Sequence, residues 1–233
     1  MIDKITLITE DNIQIIGDYY PTENKAASAV VLLHMMPATK ESWSEFAQLL
    51  ATRGFQVLAI DERGHGESTQ NGELDYREFG AEEQQAKMLD LISAVNFFKE
   101  KGLSARDIFV GGASIGANLS LQYLADNEDA RAAFALSPGY DYYGIETKPL
   151  IERMHRDQIV YMAAAKDDPN VPDSAAAVEE LCGMGSVQKT CKIFEQGGHG
   201  TDMFQENHDL MRERNPELMR GLADWLERAL AGE

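Results

Sequence analysis

From about residue 29 onward, short apolar or β-branched runs alternate with longer stretches whose apolar positions recur at helical spacing. AVVLLH (29–34) and FQVLAID (55–61) read as buried strands, being nearly all apolar and too short for helices. Between them SWSEFAQLLATRG (42–54) reads as a helix stopped by a glycine. EEQQAKMLDLISAVNFFKEKG (82–102) puts Met88, Leu91, Ile92, Val95 and Phe98 on one helical stripe, again ending near glycine. DIFVGG (107–112), a helix from Ser114, AAFALSP (132–138) and QIVYMAAAK (158–166) continue the alternation. CKIFEQ (191–196) is the expected last strand and PELMRGLADWLERAL (216–230) the last helix. The first 28 residues differ: ITLITEDNIQIIGDYYP (5–21) has two alternating runs separated by Glu10-Asp11-Asn12, the pattern of an antiparallel hairpin at a sheet edge. The expected fold is therefore α/β, a mostly parallel sheet of about eight strands with helices on both faces. Ligands of such sheets sit beyond the carboxyl ends of the strands, so residues just after each strand are the candidates for chemistry.

Composition narrows the picture. The chain has 233 residues, 44% of them hydrophobic, enough for one large core, and no Pro-, Gly- or Ser-rich linker divides it. A single domain over 1–233 is expected. No apolar run reaches the roughly 18 residues of a membrane span, and MIDKITLITEDN lacks the charged-then-apolar pattern of a signal peptide, which implies a cytoplasmic protein. In a reducing cytosol Cys182 and Cys191 are expected as free thiols. A net charge of −18 repels phosphate backbones and anionic headgroups, so neither nucleic acid nor a membrane surface is an expected partner.

Gly112-Ala113-Ser114-Ile115-Gly116 has the form G-x-S-x-G. Such a match arises by chance in a chain this long with a probability on the order of 0.1, and its place between a strand and a helix gives it weight. A sharp turn there exposes the hydroxyl and aims the Ile115 N–H, at a helix N-terminus, toward a developing oxyanion. A serine nucleophile needs a base. His155 and His208 lie in charged or polar stretches, and His34 and His65 sit in loops that read as scaffold. His199 follows the last strand in QGGHGTDMF, where glycines allow the loop to turn the imidazole back across the sheet. The base needs a carboxylate to orient it, and Asp167 and Asp168 both follow the strand in YMAAAKDDPNVP. Capping the helix that begins near Asp173, or closing a turn, suits Asp167.

The order serine, acid, histidine is that of α/β-hydrolases, and nearly the whole chain resembles that family, in its serine esterase and dienelactone-hydrolase-like branch. FQVLAIDERGHGES (55–68) resembles the family's strand followed by D-x-R-G-x-G-x-S, and DDPNVP resembles its acid loop. The resemblance implies a triad of Ser114, Asp168 and His199. LLHMMPATKESW (32–43) is similar to the oxyanion segment, in which His-Gly commonly follows the strand. Met35 stands in place of that glycine, and Met36 matches the second oxyanion donor beside Ile115. The segment from Gly139 to Asp157 is too short for a lid, which leaves an open site with Met35, Met36, Tyr140, Tyr142 and Tyr143 near its rim, suited to a small or medium acyl group. The implied reaction is ester hydrolysis through an acyl-enzyme, with a small-molecule ester as substrate and no metal or organic cofactor. A thioesterase, lactonase or small peptidase would use the same residues, and the same fold also serves as a ligand receptor.

Overall fold

The computed structural model describes residues 2–22, 28–204, 206–207, 212–213 and 215–232. Its centre is an eight-stranded sheet. β1 (Asp3–Ile8) and β2 (Gln14–Tyr20) form the expected antiparallel hairpin, and β2 pairs antiparallel with β4 (Gln56–Ile60). β3 (Ala29–Leu33) lies between β4 and β5 (Ile108–Ala113), parallel to both. Next comes β6 (Ala132–Leu136). After it a two-residue hairpin, β7 (Asp141–Tyr142) and β8 (Ile145–Glu146), stands apart from the sheet. β9 (Ile159–Ala165) and β10 (Gln188–Phe194) complete the parallel part, giving the order β1-β2-β4-β3-β5-β6-β9-β10.

The helices cover both faces. α1 (Ser44–Thr52) and α7 (Pro216–Ala231) close one, burying Phe46, Leu50, Leu222 and Leu226 against Val30, Val57 and Phe134. α2 (Ala81–Gln85), α3 (Lys87–Glu100), α4 (Ile115–Asp126), α5 (Thr147–Arg153) and α6 (Ser174–Cys182) run along the other side, where the residues of α3 to α6 pack on Val31, Val110 and Val160. Burial on both faces explains why β3 to β6 read as unbroken apolar runs.

Two expectations need correcting. The helix at 82–102 is interrupted at Ala86, and its buried side carries Gln84, Lys87 and Asp90 as well as Leu91, Val95 and Phe98, whereas Ile92 is exposed. The face turned inward at its start meets a buried charged cluster rather than the apolar core. Cys182 and Cys191, expected as free thiols, form a disulfide. α6 returns antiparallel along β10, and that packing brings the two Cα atoms to 6.3 Å, within the range a disulfide spans.

Candidate active site

Ser114 sits between the end of β5 and the start of α4 with φ 57° and ψ −123°, a conformation costly for a residue with a Cβ. Its N–H donates to the Leu136 carbonyl at 2.9 Å, which ties the turn to β6. The flanking glycines make the turn possible. A Cβ at Gly112 would stand 2.2 Å from the Gly116 carbonyl oxygen, and one at Gly116 would stand 2.8 Å from the Leu33 Cβ. The serine is therefore held on a tight, pre-formed turn at the head of a helix.

His199 and Asp168 meet. The His199 Nδ1 lies 2.6 Å from Asp168 Oδ2, and both residues are buried. Asp168 Oδ1 accepts from the N–H groups of Asn170 and Val171, each at 2.9 Å. Burial by itself would push the Asp168 carboxyl up, but the His199 hydrogen bond and these N–H donors outweigh it and hold the group below the usual carboxylate range. A carboxylate on Nδ1 fixes the tautomer with the ring proton on Nδ1 and the lone pair on Nε2. The His199 loop lies against the residue before Ser114: a Cβ at Gly200, where φ is +54°, would stand 3.0 Å from the Ala113 Cβ and 2.7 Å from the Met35 Sδ.

Two residues brace that loop, and of them only Ser137 has no legible signal in the sequence. Asp167 Oδ1 accepts from the N–H groups of Gly197 and Gly198 at 2.8 and 2.9 Å. The Ser137 hydroxyl accepts from the Gly200 N–H at 2.9 Å. Both contacts join segments about thirty or more residues apart, so only the folded chain reveals them.

The segment after β3 is fixed by a buried network. His34 Nε2 accepts from the Glu62 N–H at 3.1 Å, which puts the ring proton on Nδ1, 3.0 Å from the Met35 carbonyl. That bond orients the peptide leading to Met36. The Lys87 Nζ lies 3.3 Å from Glu62 Oε2 and 3.1 Å from His65 Nε2, and His34, Glu62, His65 and Lys87 are all buried. Burial above all, then the neighbouring lysine, pulls His65 down to about 2; burial also pulls His34 down against the opposing charge of Glu62. Both histidines stay neutral at physiological pH and serve as scaffold. The N–H groups of Met36 and Ile115 have no acceptor among the described residues.

The five rim residues separate. Met36 is half-buried, with its sulfur 3.6 Å from the Gln84 amide nitrogen. Met35 is not at the rim: it is buried in the core layer of α1 and α7, because the His199 loop lies directly over its sulfur. The Tyr140 hydroxyl donates to Glu180 on α6 at 2.8 Å, and Tyr143 is exposed at the hairpin turn. Tyr142 is half-buried, with its hydroxyl beside Ser114. Of the remaining histidines, His155 is exposed and His208 lies outside the described residues.

The sequence profile of the Hydrolase_4 family, described as serine aminopeptidase, S33, matches residues 24–156. The chain is an α/β hydrolase of this family. The match includes Ser114 and ends before Asp168 and His199. Residue by residue, the hydrolase is 26% identical over 120 residues to the cutinase est1 of Thermobifida alba, a stretch covering 52% of this chain and 38% of that enzyme. Among solved structures it resembles a putative α/β hydrolase from Agrobacterium tumefaciens, with a TM-score of 0.74, 22% identity and coverage of 99% of this chain and 98% of that one. The Pyrococcus furiosus esterase Pf2001 superposes with a TM-score of 0.71 at 16% identity, over 98% and 92% of the two chains. These structural likenesses establish the fold. No helix among the described residues is long and apolar enough to cross a membrane.

Proposed function

We propose that this hydrolase cleaves carboxylic esters of small to medium acyl groups through a triad of Ser114, His199 and Asp168. The observation that carries the reading is the 2.6 Å contact of buried His199 with buried Asp168, in a loop resting on the residue before a strained Ser114. Ser114 attacks the acyl carbon while His199 takes its proton. Asp168 holds the imidazole in the required tautomer and stabilises the imidazolium. The oxyanion is met by the N–H of Ile115, at the head of α4, and by that of Met36, whose peptide is set by His34. Collapse expels the alcohol with a proton from His199, and water releases the acid by the reverse sequence.

An ester is favoured over an anionic substrate by the net charge of −18. Size follows from the segment after β6, where the small hairpin and α5 take the place of a lid. The acyl group has walls only near the nucleophile, and each buried CH₂ contributes roughly 0.8 kcal/mol, about fourfold in rate per carbon while the wall lasts. On p-nitrophenyl esters kcat/KM is expected to rise over the first few carbons and level or fall by about C8. Matched thioester, lactone and amide substrates are expected to be slower. A steady climb to C16 would contradict the open pocket, and faster amide turnover would make the enzyme a peptidase.

A further inference from the structure

We propose that the Tyr142 hydroxyl is a catalytic group that hydrogen-bonds the alcohol oxygen of the substrate as the acyl–oxygen bond breaks. The proposal rests on the ester-hydrolase reading and assigns a polar step to a residue that the sequence offers only as part of an apolar rim.

The hairpin that carries Tyr142 is built on the helix that begins at the nucleophile. Asn118, one turn into α4 after Ser114, donates to the carbonyls of Gly139 and Ile145 at 3.2 and 2.9 Å and accepts from the Gly139 N–H at 3.2 Å. Thr147 donates to the Gly139 carbonyl at 2.9 Å, and Gln85 to the Tyr143 carbonyl at 2.6 Å. The turn itself, Tyr143-Gly144, has positive φ at both central residues, the form that matches the twist of a tight hairpin. The Tyr142 ring rests on Gly139, where a Cβ would stand 2.7 Å from the ring. Nucleophile and phenol thus share one rigid frame, the condition for a pre-organised catalytic group.

Strand order sets which side of the serine the phenol occupies. The loop of Met36 follows β3, on one flank of β5; the Tyr142 hairpin follows β6, on the other flank, from which Asp168 and His199 also enter after β9 and β10. The carbonyl oxygen of the substrate points to the Met36 and Ile115 N–H groups, so the alcohol oxygen points to the flank of His199 and Tyr142. The hydroxyl is adjacent to Ser114 and donates to the Ser137 carbonyl at 3.2 Å, a long bond that can be exchanged for a better acceptor. Burial pushes the phenol up, only partly offset by the Ser114 hydroxyl, so it carries its proton at neutral pH.

In the step itself the acyl–oxygen bond breaks and its electron pair goes to the alcohol oxygen. His199 supplies the proton taken earlier from Ser114. Tyr142 keeps its own proton and turns it from the Ser137 carbonyl to the departing oxygen. The benefit is largest where that oxygen becomes most basic, in alkyl esters, and small where the leaving group is already stable.

The test compares Tyr142→Phe with wild type on alkyl, phenyl and p-nitrophenyl esters of one acid, read as kcat/KM, which reports acylation. The expected loss is about 10- to 100-fold for the alkyl ester and under about threefold for the p-nitrophenyl ester. Tyr142→Gln, which keeps a donor, is expected to recover part of the alkyl-ester rate. Equal losses across all leaving groups, or no loss, would overturn the proposal. Ser114→Ala is assayed alongside: if it retains activity the ester reading falls, and if it is inactive while Tyr142→Phe shows no leaving-group dependence, only the role of Tyr142 falls.

Discussion

Asp167 and Asp168 are adjacent in sequence and face different partners. Asp168 meets the His199 ring, whereas Asp167 meets the backbone of the two glycines before it. Asp168→Asn removes the charge opposite the imidazolium and is expected to lower kcat on the order of 10³ to 10⁴. Asp167→Asn keeps an acceptor oxygen for Gly197 and Gly198, so its expected loss is under about tenfold. Ester kinetics on the two variants, with circular dichroism to confirm folding, check this, and the reverse ranking would move the acid by one residue. The positions of Ser114, Asp168 and His199 were legible because each lies in the loop or turn that follows a strand-like run, Ser114 directly and the other two within five residues. The burial of Met35 was not, since it depends on the His199 loop lying over it from the far end of the chain.

α6 and β10 form the element most altered from expectation. Their residues are unremarkable in pattern, and nine positions separate Cys182 from Cys191; the pairing depends on how closely the helix returns along the strand. A disulfide persists where thiols are not kept reduced, so the pairing and a cytoplasmic address pull in opposite directions. Closing so short a loop stabilises the fold by about 2–3 kcal/mol. Urea unfolding of the oxidised protein is therefore expected to show a higher midpoint than that of the Cys182→Ser/Cys191→Ser double variant. Identical midpoints would contradict a stabilising cross-link. The break between α2 and α3 was also hidden, because hydrophobic spacing cannot show that Lys87 is buried against Glu62 and His65.

At the scale of the whole molecule, the sheet was legible from its apolar runs, and right-handed crossovers with helices on both faces leave few other ways to connect them. The family match covers Ser114 but stops at residue 156, so the proposed base and acid rest on geometry: a loop after β10 that brings His199 back to Asp168 after β9. The account's central claim is that one serine, made nucleophilic by this arrangement, carries the reaction. Intact mass after treatment with a fluorophosphonate tests it most directly. The expected result is one adduct per chain, mapped to Ser114 and absent in Ser114→Ala, whose kcat falls by a factor on the order of 10⁴ to 10⁶. An adduct on another residue, or ester turnover by Ser114→Ala within tenfold of wild type, would contradict the account.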